Sequence, residues 1–226
     1  SNYKEILNDK NDVVAITTRH DTHSKAICDA LAANKNVYVE KPLALSISEL
    51  EDINKAYTDN AKSQIMVGFN RRFAPATNEI IQHFESVKSP LVINIRVNAG
   101  FIPADHWTQD AQEGGGRMIG EGCHFIDLAS AITKSNVKTI YAVGSSKEEK
   151  SALLNDNLCL SLTFENGSIA NITYTADGSK AMSKEHIEVF GGGRSAQIKD
   201  FKEILLFDGD KKVKDKKLST QDKGQK

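Results

Sequence analysis

DVVAITTRHDTHSKAICDALAANKNVYVE, residues 12–40, carries a strand, a helix and a second strand in one short span. DVVAITT, residues 12–18, is an unbroken apolar and β-branched run, the pattern of a strand buried on both faces. Ala26, Ile27, Ala30 and Leu31 then repeat at helical spacing, with Asp21 or Thr22 as a polar N-cap. NVYVE, residues 36–40, returns to a strand. Short connections between alternating strands and helices force a parallel sheet with right-handed crossovers.

The pattern continues outward. SISELEDINKAYTDN, residues 46–60, opens with Ser46 and Glu49 at capping-box spacing, and Ile47, Leu50, Ile53 and Ala56 or Tyr57 form an apolar stripe. SQIMVGF, residues 63–69, is a third strand. Beyond it the grammar changes. A helix is expected over 74–84, a long strand over 91–99 and a helix over about 116–132. Strands follow at 138–146, 157–165, 168–176, 186–192, 195–201 and 203–209. Asn166-Gly167 and Asp208-Gly209 sit between alternating runs, a strong hairpin signal. The expected fold is therefore α/β followed by α+β. Residues 1–70 form the C-terminal part of a Rossmann-like parallel sheet. Residues 71–226 form an open, mostly antiparallel sheet with helices on one face.

Bulk composition narrows the partners. With 29 Lys and Arg against 30 Asp and Glu, the net charge is -1, which gives no electrostatic case for nucleic acid or an anionic membrane. The basic run KKVKDKK, residues 211–217, reads as a solvated strand edge or fraying end. Cys28, Cys123 and Cys159 form no CxxC pair and no disulfide framework, which favours a reducing, cytoplasmic setting. No apolar run reaches the roughly 18 residues of a membrane helix. His20 with His23, or Cys123 with His124, lacks further ligands at zinc-like spacing, so no metal is expected.

Open α/β sheets bind ligands beyond the carboxyl ends of their strands. Thr17, Thr18, Arg19 and His23 occupy that position after the first strand, as loop and cap residues or as cofactor contacts. Asn70, Arg71 and Arg72 follow the third strand; paired arginines suit an anionic substrate, and a surface or interdomain ion pair is the alternative for one of them. His106 and Trp107 suit the wall of a ligand site, with core packing as the alternative for the tryptophan. The glycine-rich phosphate turn GxGxxG of a dinucleotide fold is absent from residues 1–226. Ser1 and Asn2 read as a cloning remnant ahead of a truncated sheet.

The stretches VVAITTRHDTHSKAICDALAANKNVYVEKPLALSISE (13–49), MVGFNRRFAP (66–75) and GGGRMIGEGCHFIDL (114–128) together resemble the Gfo/Idh/MocA oxidoreductases. The resemblance spans nearly the whole chain, and the segment 98–128 is most similar to a subgroup from bacterial polysaccharide loci, often fused behind a zinc-type alcohol dehydrogenase-like domain. It implies an NAD(P)-dependent dehydrogenase of a sugar or nucleotide sugar. The chain is then a fragment, inactive alone, lacking the family's first three strands and its last helix.

By this resemblance Lys41 is the catalytic proton acceptor or relay, Pro42 fixes the backbone beside it, and Glu40 contacts nicotinamide or ribose. His124 is the second catalytic position, and the loop at Thr17, Thr18, Arg19 and His23 surrounds the nicotinamide, together with Asn70. Arg71, Arg72, Trp107 and Arg117 are the substrate candidates. The family commonly has Asp four residues before the histidine, where this chain has Gly120. A homo-oligomer through an exposed apolar face of the C-terminal sheet is expected. A non-catalytic assembly module of a larger polysaccharide-biosynthesis protein is the alternative reading.

Overall fold

The computed structural model describes residues 3–145 and 156–225; the remnant reading of Ser1 and Asn2 and the predicted strand residue Ser146 lie outside them. The chain divides into two compact units, residues 1–69 with 104–123 and residues 70–103 with 124–226. The division differs from the expected cut at 70/71 in one segment, 104–123. That segment packs with the first unit through side-chain and backbone bonds described below.

In the first unit, after a short helix α1 (Lys4–Leu7), come β1 (Val13–Ile16), α2 (His23–Ala32), β2 (Asn36–Val39), α3 (Ile47–Asp59) and β3 (Ile65–Val67). The strands form a parallel sheet in the order β1-β2-β3, with Ile16 opposite Val39 and Val39 opposite Val67. Ile16, Ile27, Ala30, Leu31, Val37, Val39 and Ile53 form its core. Burying each large apolar side chain contributes about 1.5–3 kcal/mol.

Three local expectations are corrected here. β1 is not buried on both faces: it is the edge strand, Val13 is exposed and only Ile16 is buried. In α3 the stripe is mostly outside, because the helix meets the core through Ile53 and leaves Ile47, Leu50 and Tyr57 exposed. At α2 neither Asp21 nor Thr22 caps the helix by side chain. A 3-10 turn, His20–Thr22, comes first, and the Thr22 hydroxyl donates to the Arg19 carbonyl at 2.7 Å. The capping box at α3 does form, in a shifted version. Ser46 Oγ accepts from the Glu49 amide at 3.2 Å, while the Glu49 carboxylate accepts from the Leu45 amide at 2.7 Å.

The second unit holds α4 (Pro75–Phe84), β4 (Val92–Asn98), α5 (Cys123–Thr133, counted from His124 in this unit) and β5 (Val137–Gly144). It continues with β6 (Leu158–Phe164), β7 (Ile169–Thr175), β8 (Glu185–Gly191), β9 (Arg194–Lys199), β10 (Glu203–Asp208) and β11 (Lys211–Lys217). Eight strands run in the order β11-β10-β9-β8-β4-β7-β6-β5, all pairs antiparallel except β4 with β7. Gly167, at φ +83°, closes the β6–β7 hairpin where Asn166-Gly167 predicted it.

Strict alternation sorts the two faces. Ile93, Ile95, Leu160, Leu162, Ala170, Ile172, Ile187 and Val189 are buried, along with Ile80, Phe84, Phe125 and Leu128 from α4 and α5. The other face departs from the expected apolar surface. Gln197, Glu188, Asn94, Asn171, Ser161 and Tyr141 lie in one cross-strand row, and Ser161 donates to Asn171 at 2.9 Å. Exposed apolar groups gather instead on the edge strand β5, at Ile140, Tyr141 and Val143.

Candidate active site

A parallel sheet places the carboxyl ends of β1, β2 and β3 along one edge, and the chain leaves them at Thr17, Glu40 and Gly68. Thr17, Thr18 and Arg19 are exposed in the first of these loops. The Thr18 and Thr22 hydroxyls meet at 2.5 Å, which ties that loop to the 3-10 turn.

His23 stands behind the loop. It is wholly buried, with Nδ1 2.7 Å from the Pro42 carbonyl and Nε2 3.1 Å from the Thr18 carbonyl. The expected cofactor contact is thereby corrected: the ring clamps two loops together and presents no surface of its own. Pro42 is also buried, and the Lys41–Pro42 peptide is cis.

Glu40 is half-buried and accepts a hydrogen bond from the Tyr38 hydroxyl at 3.0 Å. Burial, followed by this carboxylate, pushes the Tyr38 phenol up. Gly68 makes the close approach possible. A Cβ there would lie 2.9 Å from the Tyr38 hydroxyl and 3.1 Å from the Glu40 carboxylate.

Lys41 is half-buried, and its Nζ donates to the Gly120 carbonyl at 2.5 Å. That carbonyl belongs to the segment 104–123, which the local sequence bends tightly. The Asp110 carboxylate accepts from the Gln112 and Glu113 amides at 2.8 Å each, and the Asp110 carbonyl accepts from Gly114 and Gly115. Only glycine fits at 114, where a Cβ would lie 2.4 Å from Thr108 Cα and 2.5 Å from the Trp107 carbonyl. Residues Met118–Gly122 then form a π-helical turn that runs into α5, a local feature often found at functional sites.

His20 closes this arrangement. It is buried, its Nδ1 lies 2.8 Å from the Gly114 carbonyl, and Trp107 packs edge-on at 4.8 Å between ring centroids. Burial first, then the charges of Lys41 and His23, lowers its proton affinity against the opposing pull of Gly114 and Asp21. Trp107 is half-buried, with the Arg19 guanidinium 5.4 Å from its ring centroid, and Arg19 pairs with Glu113. The tryptophan thus takes the packing alternative against His20. His106 is exposed and caps the short turn Trp107–Gln109.

The arginines are committed to carboxylates of their own chain. Arg71 donates through Nε and Nη2 to Glu185 at 2.9 and 2.8 Å, both side chains are buried, and the guanidinium sits 4.9 Å from the Phe125 ring centroid. Lys223 adds a third bond to Glu185 at 2.6 Å. Arg71 is therefore corrected from substrate ligand to buried structural ion pair. Arg72 holds Asp127 bidentately at 3.0 and 2.5 Å and keeps 39% of its side chain exposed. Arg117 is buried and donates to Glu121 at 3.1 Å, one helical turn along, which corrects the substrate assignment there too. Asn70 is half-buried beside Arg71. His124 is 7% exposed in the first turn of α5.

Residues 1–69 match the oxidoreductase family described as having an NAD-binding Rossmann fold, and residues 89–196 match the GFO/IDH/MocA C-terminal domain. The chain belongs to the Gfo/Idh/MocA oxidoreductase family. Among its relatives in this family, the uncharacterized oxidoreductase YrbE of Bacillus subtilis (strain 168) is 29% identical over 207 residues, 87% of this chain and 58% of that protein. The inositol 2-dehydrogenase of Salmonella typhimurium is 32% identical over 144 residues, 62% of this chain and 41% of that protein. The solved structure of levoglucosan dehydrogenase in complex with NADH and levoglucosan superposes with a TM-score of 0.82 at 20% identity, covering 97% of this chain and 64% of that one. The chain thus spans between about two-fifths and two-thirds of the length of these relatives.

The sheet edge with exposed Thr17 and Thr18, and the half-buried Glu40 carboxylate crowded against Gly68, offers acceptors to a ribose or a carboxamide. Among the described residues no strand, glycine turn and helix combine into a pyrophosphate cradle. No group of three or more His, Cys, Asp or Glu that could hold a metal ion occurs among the described residues. No helix there is long and apolar enough to cross a membrane.

Sequence reasoning missed His20 and the Gly120 carbonyl, and the acids Glu185 and Asp127. His20 carries a local signal, lying one residue past Arg19 in the sheet-edge loop. The carboxylates lie 114 and 55 positions from their arginines, beyond any spacing rule.

Proposed function

We propose that the protein carrying this chain is an NAD(P)-dependent dehydrogenase of a cyclitol or sugar, with Lys41 as the group that takes the hydroxyl proton. The reading rests on one observation above others: the Lys41 ammonium is half-buried at the carboxyl end of β2 and anchored to the Gly120 carbonyl at 2.5 Å. A neutral amine has two N–H donors and one lone pair. With one N–H held by Gly120, the lone pair is confined to a narrow range of directions and can receive the proton of a bound alcohol. NAD(P), when bound, accepts the hydride from the alcohol carbon. Glu40, Thr17 and Thr18 receive the nicotinamide and its ribose, and His124 is the second proton-handling group.

Two of the relatives, named for inositol and levoglucosan, support a neutral polyol as substrate. The commitment of Arg71 to Glu185 and of Arg72 to Asp127 weakens the case for a nucleotide sugar. Self-association through the polar face of the eight-stranded sheet is part of the same proposal.

The test is Lys41→Ala in the full-length protein, assayed against inositols, hexoses and uridine diphosphate sugars with both cofactors. Turnover is expected to fall at least about 100-fold with the circular dichroism spectrum unchanged. Normal kinetics in the folded variant removes Lys41 from the mechanism. Absence of turnover in the wild type with every substrate favours the non-catalytic assembly module.

A further inference from the structure

His20 is a buried imidazole that the proposed chemistry does not use. It bonds to one backbone carbonyl of the segment that holds Lys41 and lies beside the Gly120 position. Its Nδ1 lies 2.8 Å from the Gly114 carbonyl, so Nδ1 carries the proton and, in the neutral ring, Nε2 carries the lone pair. Its Cε1 lies 3.2 Å from where a Cβ on Gly120 would stand, tighter than most real Cβ contacts. A side chain at position 120 would therefore push against the edge of this ring. The same residue supplies the carbonyl that receives Lys41.

We propose that His20 is a positioning residue for Lys41: it fixes the Gly114–Gly120 segment, and through it the Gly120 carbonyl, so that the amine is held at one place and angle. The inference rests on the reading of Lys41 as the proton acceptor. The groups facing His20 are Lys41, His23 and Asp21, with Trp107 against its edge and the Arg19–Glu113 pair beyond that ring contact. None of them is a carboxylate bonded to the imidazole, and the bond that orients it is the one to Gly114. The pairing also accounts for glycine at 120 in physical terms. His20 and a side chain at 120 compete for one space, and a backbone carbonyl does the anchoring that an acidic side chain could do.

The experiment is a double-mutant cycle in the full-length enzyme, with His20→Ala, Gly120→Ala and the double variant. Each single change is expected to lower kcat roughly 10- to 100-fold with KM for NAD within about threefold, because the amine is displaced while the cofactor site stays. The double variant is expected to be no worse than the poorer single one, since the methyl introduced at position 120 enters the space the ring has left. Multiplicative effects overturn the proposal. His20→Gln keeps an N–H for the Gly114 carbonyl and is expected to recover most of kcat; loss equal to that of His20→Ala overturns it. The 13C resonance of the Lys41 ε-methylene gives a readout free of turnover. It should move in His20→Ala and stay in His20→Gln, and no movement in either refutes the coupling. If Lys41→Ala retains full turnover while that resonance still responds to His20, the catalytic reading falls and the positioning contact stands.

Discussion

Arg71 and Glu185 meet through two parallel hydrogen bonds of 2.9 and 2.8 Å, although 114 positions separate them in the chain. The pair joins the entry to α4 with the first residue of β8, and Lys223 extends it to the C-terminal segment. A buried carboxylate is tolerable only with such partners. Removing one of them leaves the other charge stranded. Arg71→Met is expected to cost about 3–5 kcal/mol, and Arg71→Met with Glu185→Leu to recover a large part of it. Urea unfolding of both variants measures this; a single variant as stable as the wild type contradicts the burial of the pair.

The same pair sets an acid limit. Burial alone would raise the Glu185 carboxyl, but Arg71 and Lys223 outweigh it and hold it below the ordinary value of 4.5. A depressed carboxylate contributes stability above its unfolded value and loses it as pH falls through its folded value. His20, lowered by burial, acts in a separate window: below its ordinary 6.5 the unfolded chain takes a proton that the folded ring resists. Unfolding midpoints are thus expected to decline first below about pH 6.5 and again below about pH 4.5. His20→Ala should flatten the upper step and Glu185→Gln the lower one. An unchanged profile in either variant refutes its assignment.

How far the sequence carried the fold depended on the range of the interactions. Strand and helix order followed from period and punctuation, as at Ser46 with Glu49 and at Asn166-Gly167, where the deciding contacts lie within a few residues. Burial of particular faces did not follow. Ile47 and Leu50 have helical apolar spacing but stand exposed, because spacing names a face without naming what covers it. Lys41 is singled out by the family resemblance, since a Glu-Lys-Pro turn after a strand is by itself an ordinary structural feature, and its anchor is a backbone carbonyl at Gly120, which has no side chain to announce it. Arg71 and Arg72 showed the opposite failure. Their chemistry suits anions, and the anions proved to be Glu185 and Asp127 of the same unit.

The polar face of the eight-stranded sheet yields a prediction about assembly. Asn94, Asn171 and Ser161 lie side by side across β4, β7 and β6, with their side chains exposed. Amide and hydroxyl groups in register can bond across a two-fold axis without an apolar surface. Asn171→Arg with Ser161→Arg places like charges face to face in such a contact. Light scattering of the full-length protein is expected to show an oligomer for the wild type and a monomer for this variant. An oligomer unaffected by both arginines assigns the contact elsewhere, with exposed Ile140, Tyr141 and Val143 on β5 as the next surface to change.

Cofactor affinity divides along the same physical line as the sheet. On the proposed reading Thr17, Thr18 and Glu40 receive the ribose and nicotinamide, each such contact being a neutral or singly charge-assisted hydrogen bond of about 1–3 kcal/mol. A dinucleotide draws much of its binding from backbone amides at a glycine turn and helix N-terminus around the pyrophosphate, and among the described residues no such turn occurs. Residues 1–226 expressed by themselves are therefore expected to bind NAD(P) no better than about millimolar, some −4 kcal/mol. Calorimetric titration of the isolated chain, with circular dichroism to establish folding, measures it. Micromolar binding by the folded chain would mean that Glu40 and its neighbours hold the cofactor without a phosphate cradle. In that case Glu40→Gln should abolish the binding, whereas Arg72→Gln, at a group already bonded to Asp127, should leave it unchanged.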